Sequence, residues 1–310
     1  MLAKGFLVSA LLFGLSVVQA VPAPELSKRQ SITALSTSQI NSYTPFTWFA
    51  SAAYCSPSST LAWNCGANCA ANSDFIPVAS GGDGTDVQFW YVGYSPSQKS
   101  VIVAHQGTDP SSAPPQLVVL NYREADATDA NAFLESLDSS LFPGLSSSIE
   151  AHSGFANEQA KTATTILSNV QKAISAHGAK QVTLVGHSLG AAISLLDTVY
   201  LPLHIKGVSF KFVGYGLPRV GNQDFANYVD ANLQVTHINN KEDPIPIVPG
   251  RFLGYHHPSG EVHIMDNNQW VSCPGQDNAS TECIVGDVPN IFDGDESDHD
   301  GPYNGVEMGC

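Results

Sequence analysis

The chain has 310 residues, 43% of them hydrophobic and 13% charged, with 28 acidic against 13 basic side chains and a formal net charge of −15. Such a length and apolar content suffice for one large α/β domain, and the acidity excludes nucleic acid as a partner.

Met1 to Ala20 carries Lys4 near its start, an apolar stretch from Phe6 to Val18, and the small-residue ending Val18-Gln19-Ala20. This is the organisation of a secretory signal peptide, and it is too short to be a membrane span. Residues 21–29 end in the dibasic pair Lys28-Arg29 and read as a propeptide, leaving 30–310 as a single mature domain. Its removal would make the chain more acidic still. The six cysteines of a secreted chain favour disulfides over metal ligation, although 15 pairings are open in principle. Locality pairs Cys65 with Cys69 and Cys273 with Cys283, which leaves Cys55 for Cys310. The acceptor Asn278-Ala279-Ser280 lies within the 273–283 loop and predicts a glycan on the surface.

A helix is expected around Thr44 to Tyr54, followed by a loop rich in Cys, Asn and Ser. Val87 to Tyr94 and Ser100 to His105 then read as strands around Ser95-Pro96-Ser97-Gln98. Residues 109–123 combine turn formers with the apolar run Leu117-Val118-Val119-Leu120. Ser153 to His177 has the composition of a long helix, with Gly178 as a left-handed cap. Gln181 to Val185 is a strand; Gly186-His187-Ser188-Leu189-Gly190 is a sharp turn; the apolar residues from Ala191 to Leu196 begin a helix. Val208 to Tyr215 and Val235 to Ile238 continue the alternation, so a mostly parallel sheet flanked by helices is expected, with functional groups at the carboxyl ends of its strands. There is no internal repeat or long linker.

The strand, Gly-x-Ser-x-Gly turn and helix together match the nucleophile elbow of an α/β-hydrolase. A serine hydroxyl becomes a nucleophile only with a base beside it, and a strained turn exposes its Oγ to base and substrate at once. The Leu189 N–H, at the helix start, is aimed where an oxyanion would form. In the α/β-hydrolase order, acid and histidine follow the serine. Asp243, in Asn240-Lys241-Glu242-Asp243-Pro244, is the preferred acid and Glu242 its rival. The downstream histidines are His256, His257, His263 and His299. His299 is preferred because it lies in a loop, whereas Gly254 to Met265 resembles a hairpin or strand. Asp298 and Asp300 flank His299 and favour its protonated form. The acidic stretch from Asp293 lacks the glycine and glutamate of an EF-hand loop, so no metal is expected.

Taken together, these features resemble the secreted fungal class 3 lipases, the filamentous-fungus triacylglycerol lipase family of the α/β-hydrolase superfamily that also includes feruloyl esterases. The resemblance runs from about Tyr43 to Cys310. It rests on Ala53-Tyr54-Cys55, Gln106-Gly107-Thr108, His152-Ser153-Gly154-Phe155, Gly186 to Gly190, Tyr215 to Asn222, the Asp243 loop and a late histidine. It implies Ser188 as nucleophile, His299 as base and then acid, Asp243 as the group orienting the imidazole, and Thr108 with Leu189 as the oxyanion hole. It also implies Tyr54 and Leu117 to Leu120 as lid or substrate-binding residues, the disulfide pattern above, and no cofactor. Two positions depart from the family: Gln106 stands where arginine is common, and the segment after Thr108 lacks the tryptophan of some lids. The expected function is ester hydrolysis through an acyl-enzyme on acylglycerols at an oil–water interface, by a monomer. The alternatives are a feruloyl or other soluble-ester esterase, a serine peptidase, or a catalytically silent secreted binding protein.

Overall fold

The alternating strand and helix signals resolve into a sheet whose middle is parallel and whose flanks are not. The computed structural model describes residues 31–108 and 133–310. The expected signal peptide and propeptide, and the run Leu117 to Leu120, lie outside these residues.

Thirteen strands are present among the described residues: β1 (Thr33–Ala34), β2 (Ile76–Gly81), β3 (Trp90–Ser95), β4 (Ser100–His105), β5 (Leu134–Ser136), β6 (Glu150–His152), β7 (Gln181–His187), β8 (Ser209–Tyr215), β9 (Gly221–Asn222), β10 (Gln234–Asn240), β11 (Tyr255–His256), β12 (Glu261–Ile264) and β13 (Trp270–Cys273). The large sheet has the order β1-β13-β12-β10-β8-β7-β4-β3-β2. Neighbours from β4 to β12 pair in parallel, and the outer pairs on each side are antiparallel. A small sheet, β11-β9-β6-β5, lies apart in the topology.

Strand β7 shows how the core is divided. Successive side chains point to opposite faces of a strand. Val182 and Leu184 therefore join the cluster formed with the helices Ser153–His177 and Leu189–His204, whereas Val185 joins the opposite cluster with Phe46 and Phe49 of helix Thr44–Ala52. Being covered on both faces, β7 is buried almost throughout, as parallel strands are. The helix Ser153–His177 buries Phe155, Ala163, Ile166, Val170 and Ala173 along one stripe, and it stops at Gly178, whose φ is 63°.

Register positions the site. His105 lies opposite Gly186, and His187 opposite Tyr215, so β4, β7 and β8 end at one level. Gln106, Ser188 and Gly216 consequently emerge side by side. Three disulfides, Cys55–Cys310, Cys65–Cys69 and Cys273–Cys283, have Cα–Cα distances of 5.1, 5.1 and 5.9 Å.

Two local expectations change. The strand expected from Val87 begins at Trp90, because Asp83 accepts the N–H groups of Thr85 and Val87 and folds that stretch into a loop. Of the hairpin or strand expected between Gly254 and Met265, the strand is β12, between β10 and β13, and the hairpin is absent because β11 pairs with β9 in the other sheet.

Candidate active site

Ser188 sits between β7 and its helix with φ 57° and ψ −129°, a conformation that L-residues occupy only at a cost of about 1–3 kcal/mol and only when the surroundings impose it. The surroundings here are close backbone contacts. A Cβ on Gly186 would lie 2.3 Å from the Gly190 carbonyl oxygen, and one on Gly190 would lie 2.2 Å from that of His105. Only glycine allows strand, helix and the neighbouring β4 end to approach this closely. The Ser188 N–H donates to the Tyr215 carbonyl at 3.0 Å, fixing the turn to β8.

Leu189 opens the helix, so its N–H belongs to the first-turn donors that lack an intrahelical acceptor. The segment Gln106-Gly107-Thr108 runs alongside, and a Cβ on Gly107 would meet Ser188 Cβ at 3.2 Å and the Tyr54 hydroxyl at 2.2 Å. Thr108, half-buried, is thus one residue from the point of closest approach to the serine. Gln106, the residue at a common arginine position, accepts the Phe89 N–H on its Oε1 at 3.0 Å and serves the local strand pair.

The carboxylate of Asp243 is fully buried, and its Oδ2 accepts from His299 Nδ1 at 2.9 Å. Its Oδ1 accepts the Ile245 N–H at 2.8 Å, so both oxygens are committed and the carboxylate cannot rotate away. Burial alone opposes protonation of His299, but Asp243, Asp300 and Glu296 together outweigh it and hold the imidazole above its ordinary range. The His299 carbonyl is also fixed, by the His187 Nε2–H at 2.8 Å and the Tyr303 hydroxyl at 3.0 Å. His187 accepts the Tyr54 hydroxyl on Nδ1 at 2.6 Å. Burial, reinforced by the charge of His299, holds His187 well below the usual histidine range, so it is a neutral ring with one donor and one acceptor nitrogen.

The rival residues are engaged elsewhere. Burial and the surrounding carboxylates Asp266, Asp287, Asp298 and Asp295 push the Glu242 carboxyl up, so it faces like charges, and no described bond joins it to an imidazole. His256 lies 3.4 Å from Asp277, which is ion-paired with Arg219 at 2.8 Å. Burial pushes His257 down to about 3, and its Nε2–H donates to the Pro246 carbonyl at 2.7 Å. His263 is buried between two backbone carbonyls. Asn278 is half-buried and donates its amide to the Pro274 carbonyl at 2.9 Å, a bond that a glycan would have to displace.

Sequence reasoning missed His187 and Tyr303 as supports of His299. His187 lies inside the elbow motif, but no local pattern reveals that its ring reaches a carbonyl more than a hundred positions away. A cluster of His187, His299 and Asp300 has ligand atoms within 4.8 Å of one another. The imidazole nitrogens of His187 and the Nδ1 of His299 are already used in the hydrogen bonds above.

The described residues thus include a strained serine at a strand-to-helix turn and an imidazole bonded to a buried carboxylate, group types that serve acyl transfer. The sequence profile of the class 3 lipases matches residues 122–253. Two secreted mono- and diacylglycerol lipases of Malassezia globosa, MDL2 and MDL3, are similar to the chain. MDL2 is 34% identical over 70% of this chain and 68% of its own length, and MDL3 is 33% identical over 74% and 71%. Among solved structures, the Rhizomucor miehei lipase propeptide complex superimposes with a TM-score of 0.73 at 23% identity, covering 90% of this chain and 84% of that one. Lip2 lipase of Yarrowia lipolytica gives 0.74 at 23% identity, over 90% and 98%. The chain belongs to the class 3 lipase family, with the α/β-hydrolase fold. Membership of that family makes it an ester hydrolase, and no helix among the described residues is long and apolar enough to cross a membrane.

Proposed function

We propose that Ser188, His299 and Asp243 form the catalytic relay of an acylglycerol lipase. The single observation that carries this is the 2.9 Å contact between His299 Nδ1 and a buried, doubly held Asp243 carboxylate, next to His187, whose ring lies 4.4 Å from that of His299 and which directly precedes the strained serine. His299 Nε2 takes the Ser188 proton as Oγ attacks the ester carbonyl. The tetrahedral oxyanion is met by the Leu189 N–H and by Thr108, each such donor contributing about 2.7–4 kcal/mol to the barrier reduction. His299 then delivers the proton to the departing alcohol, leaving an acyl-serine. Water, deprotonated by the same imidazole, releases the fatty acid and regenerates Ser188.

The relatives named for mono- and diacylglycerols favour partial glycerides within this class. The apolar run Leu117 to Leu120 favours action at an oil–water interface, and the monomer remains the working form. Labelling with a fluorophosphonate tests the relay: one equivalent should attach to the wild-type protein and none to Ser188→Ala. Release of fatty acid from mono-, di- and triacylglycerol emulsions should exceed that from a soluble feruloyl ester. Preference for the feruloyl ester would overturn the substrate class while leaving the relay intact.

A further inference from the structure

His263 lies on β12, and its side chain is wholly buried. Its two ring nitrogens each face a backbone carbonyl oxygen: Nδ1 that of Glu282 at 2.9 Å and Nε2 that of Lys241 at 2.9 Å. A carbonyl only accepts, and a neutral imidazole has a single N–H, so only the doubly protonated ring satisfies both contacts. Without the second proton, a nitrogen lone pair would press against a carbonyl oxygen in a site closed to water, at the cost of an unmade buried hydrogen bond.

Carboxylates are in place to support the charge. Asp287 Oδ2 lies 3.7 Å from Nε2, and Asp266 is its acidic neighbour. Glu261 is two residues earlier on the same strand and so shares the face of His263. Burial pushes the Glu261 carboxyl up to about 7, while the Ile284 N–H and the charge of His263 act in the opposite direction. The Lys241 ammonium is turned to Asp298 at 3.4 Å.

The two carbonyls connect His263 to the relay. Glu282 precedes Cys283, which is bonded to Cys273, so one end of the clamp is a covalently fixed loop. Lys241, with φ 43°, forms the turn between β10 and Asp243. Its N–H donates to the Ile264 carbonyl at 2.7 Å, so both polar groups of Lys241 are docked on β12. The other side of this turn holds the loop of His299: Asn240 Nδ2 donates to the Asp298 carbonyl at 2.9 Å, and the Asp295 N–H to that of Glu242 at 2.8 Å.

We propose that His263 is a positioning residue for ester hydrolysis, a buried imidazolium that clamps the Lys241 carbonyl and thereby sets the position of the Asp243 carboxylate against His299. This rests on the relay proposed above. Loss of the His263 proton releases one carbonyl, loosens the turn carrying Asp243 and lowers kcat with little effect on KM.

The test is nitrogen NMR of the intact wild-type protein carrying 15N-histidine, with His263 assigned through Val262 and Ile264, beside the pH dependence of kcat. Both His263 nitrogens should show imidazolium shifts where the enzyme is active. His263→Gln, which reaches one carbonyl only, should lower kcat about 100-fold and keep KM, since a misplacement of about 1 Å costs that much. A neutral His263 at full activity, or a folded His263→Gln with wild-type kcat and pH profile, would overturn the proposal. If His263→Gln does not fold, the wild-type spectra alone decide. Failure of the wild-type protein to take up fluorophosphonate would instead strike the relay, with the protonation of His263 still read independently.

Discussion

The bridge Cys55–Cys310 spans 255 positions, whereas Cys65–Cys69 spans 4, and this difference makes a quantitative prediction. If a disulfide stabilises by shrinking the unfolded ensemble, closing the long loop contributes about 5.5 kcal/mol and the short one about 2 kcal/mol. The difference of about 3.5 kcal/mol follows from the ratio of loop lengths alone. Removing Cys55–Cys310 by paired alanine substitution should therefore lower Tm by about 10 °C, taking about 2 °C per kcal/mol for a domain of this size. The double variant Cys65→Ala/Cys69→Ala should lose less than half as much. The longer bridge also touches the site: the Gly309 carbonyl accepts from Ser51 and Asn68 at 2.9 and 2.7 Å, and the Met308 N–H donates to the Asp300 carbonyl at 2.8 Å. This tail carries Tyr303, which supports His299. Its release should reduce fluorophosphonate labelling below the temperature of global unfolding. Calorimetry and labelling on a common temperature ramp read both effects. Equal losses from the two variants, or a larger loss from the short loop, would refute the reasoning.

Three further outcomes are expected. Because the carboxylates around His299 hold its imidazole above the ordinary range, the free base appears only above that raised value, so kcat/KM should fall as pH drops through it. Asp300→Asn, by removing one of those charges, should move this acid limb to lower pH; a limb that stays or moves upward contradicts the assignment. Gly216 has φ 51°, and a Cβ there would lie 3.0 Å from His299 Nδ1 and 3.1 Å from Asp243 Oδ2. Gly216→Ala should cost about 1–2 kcal/mol of stability and about 100-fold in kcat through displacement of the imidazole; wild-type turnover would show that the contact is harmless. Buried Asp197 accepts from His105 Nε2 at 2.9 Å and Gln159 Nε2 at 2.8 Å, tying the elbow helix to β4 and the long helix. Asp197→Ala should lose about 3–5 kcal/mol in urea unfolding, as the removal of one partner of a buried pair does.

Elements whose signals are local were legible without coordinates. The strand and helix flanking Ser188 show their period and glycines within twenty positions, and Ser153–His177 announces its end through Gly178. Asp243 and His299 were preferred from the α/β-hydrolase order of groups, the proline after Asp243 and the loop around His299, but no local pattern could show the 2.9 Å contact that folding makes between them. The small sheet was invisible because two-residue strands such as β9 and β11 have no period to read; they exist by virtue of their partners. Residues 254–265 read as a hairpin or a strand, and the strand is there, but its neighbours were not legible because alternation records burial on one face and carries no information about which sheet supplies the partner.

The sequence by itself determined the elbow, the acid–proline loop and the alternation of an α/β domain, because each depends on residues close together along the chain. Only the tertiary structure decided that His187 and Tyr303 brace His299 while His263 bridges two carbonyls. The reason is physical: the role of a histidine is set by the donors, acceptors and charges packed around its two nitrogens, and in this protein those groups come from distant parts of the chain.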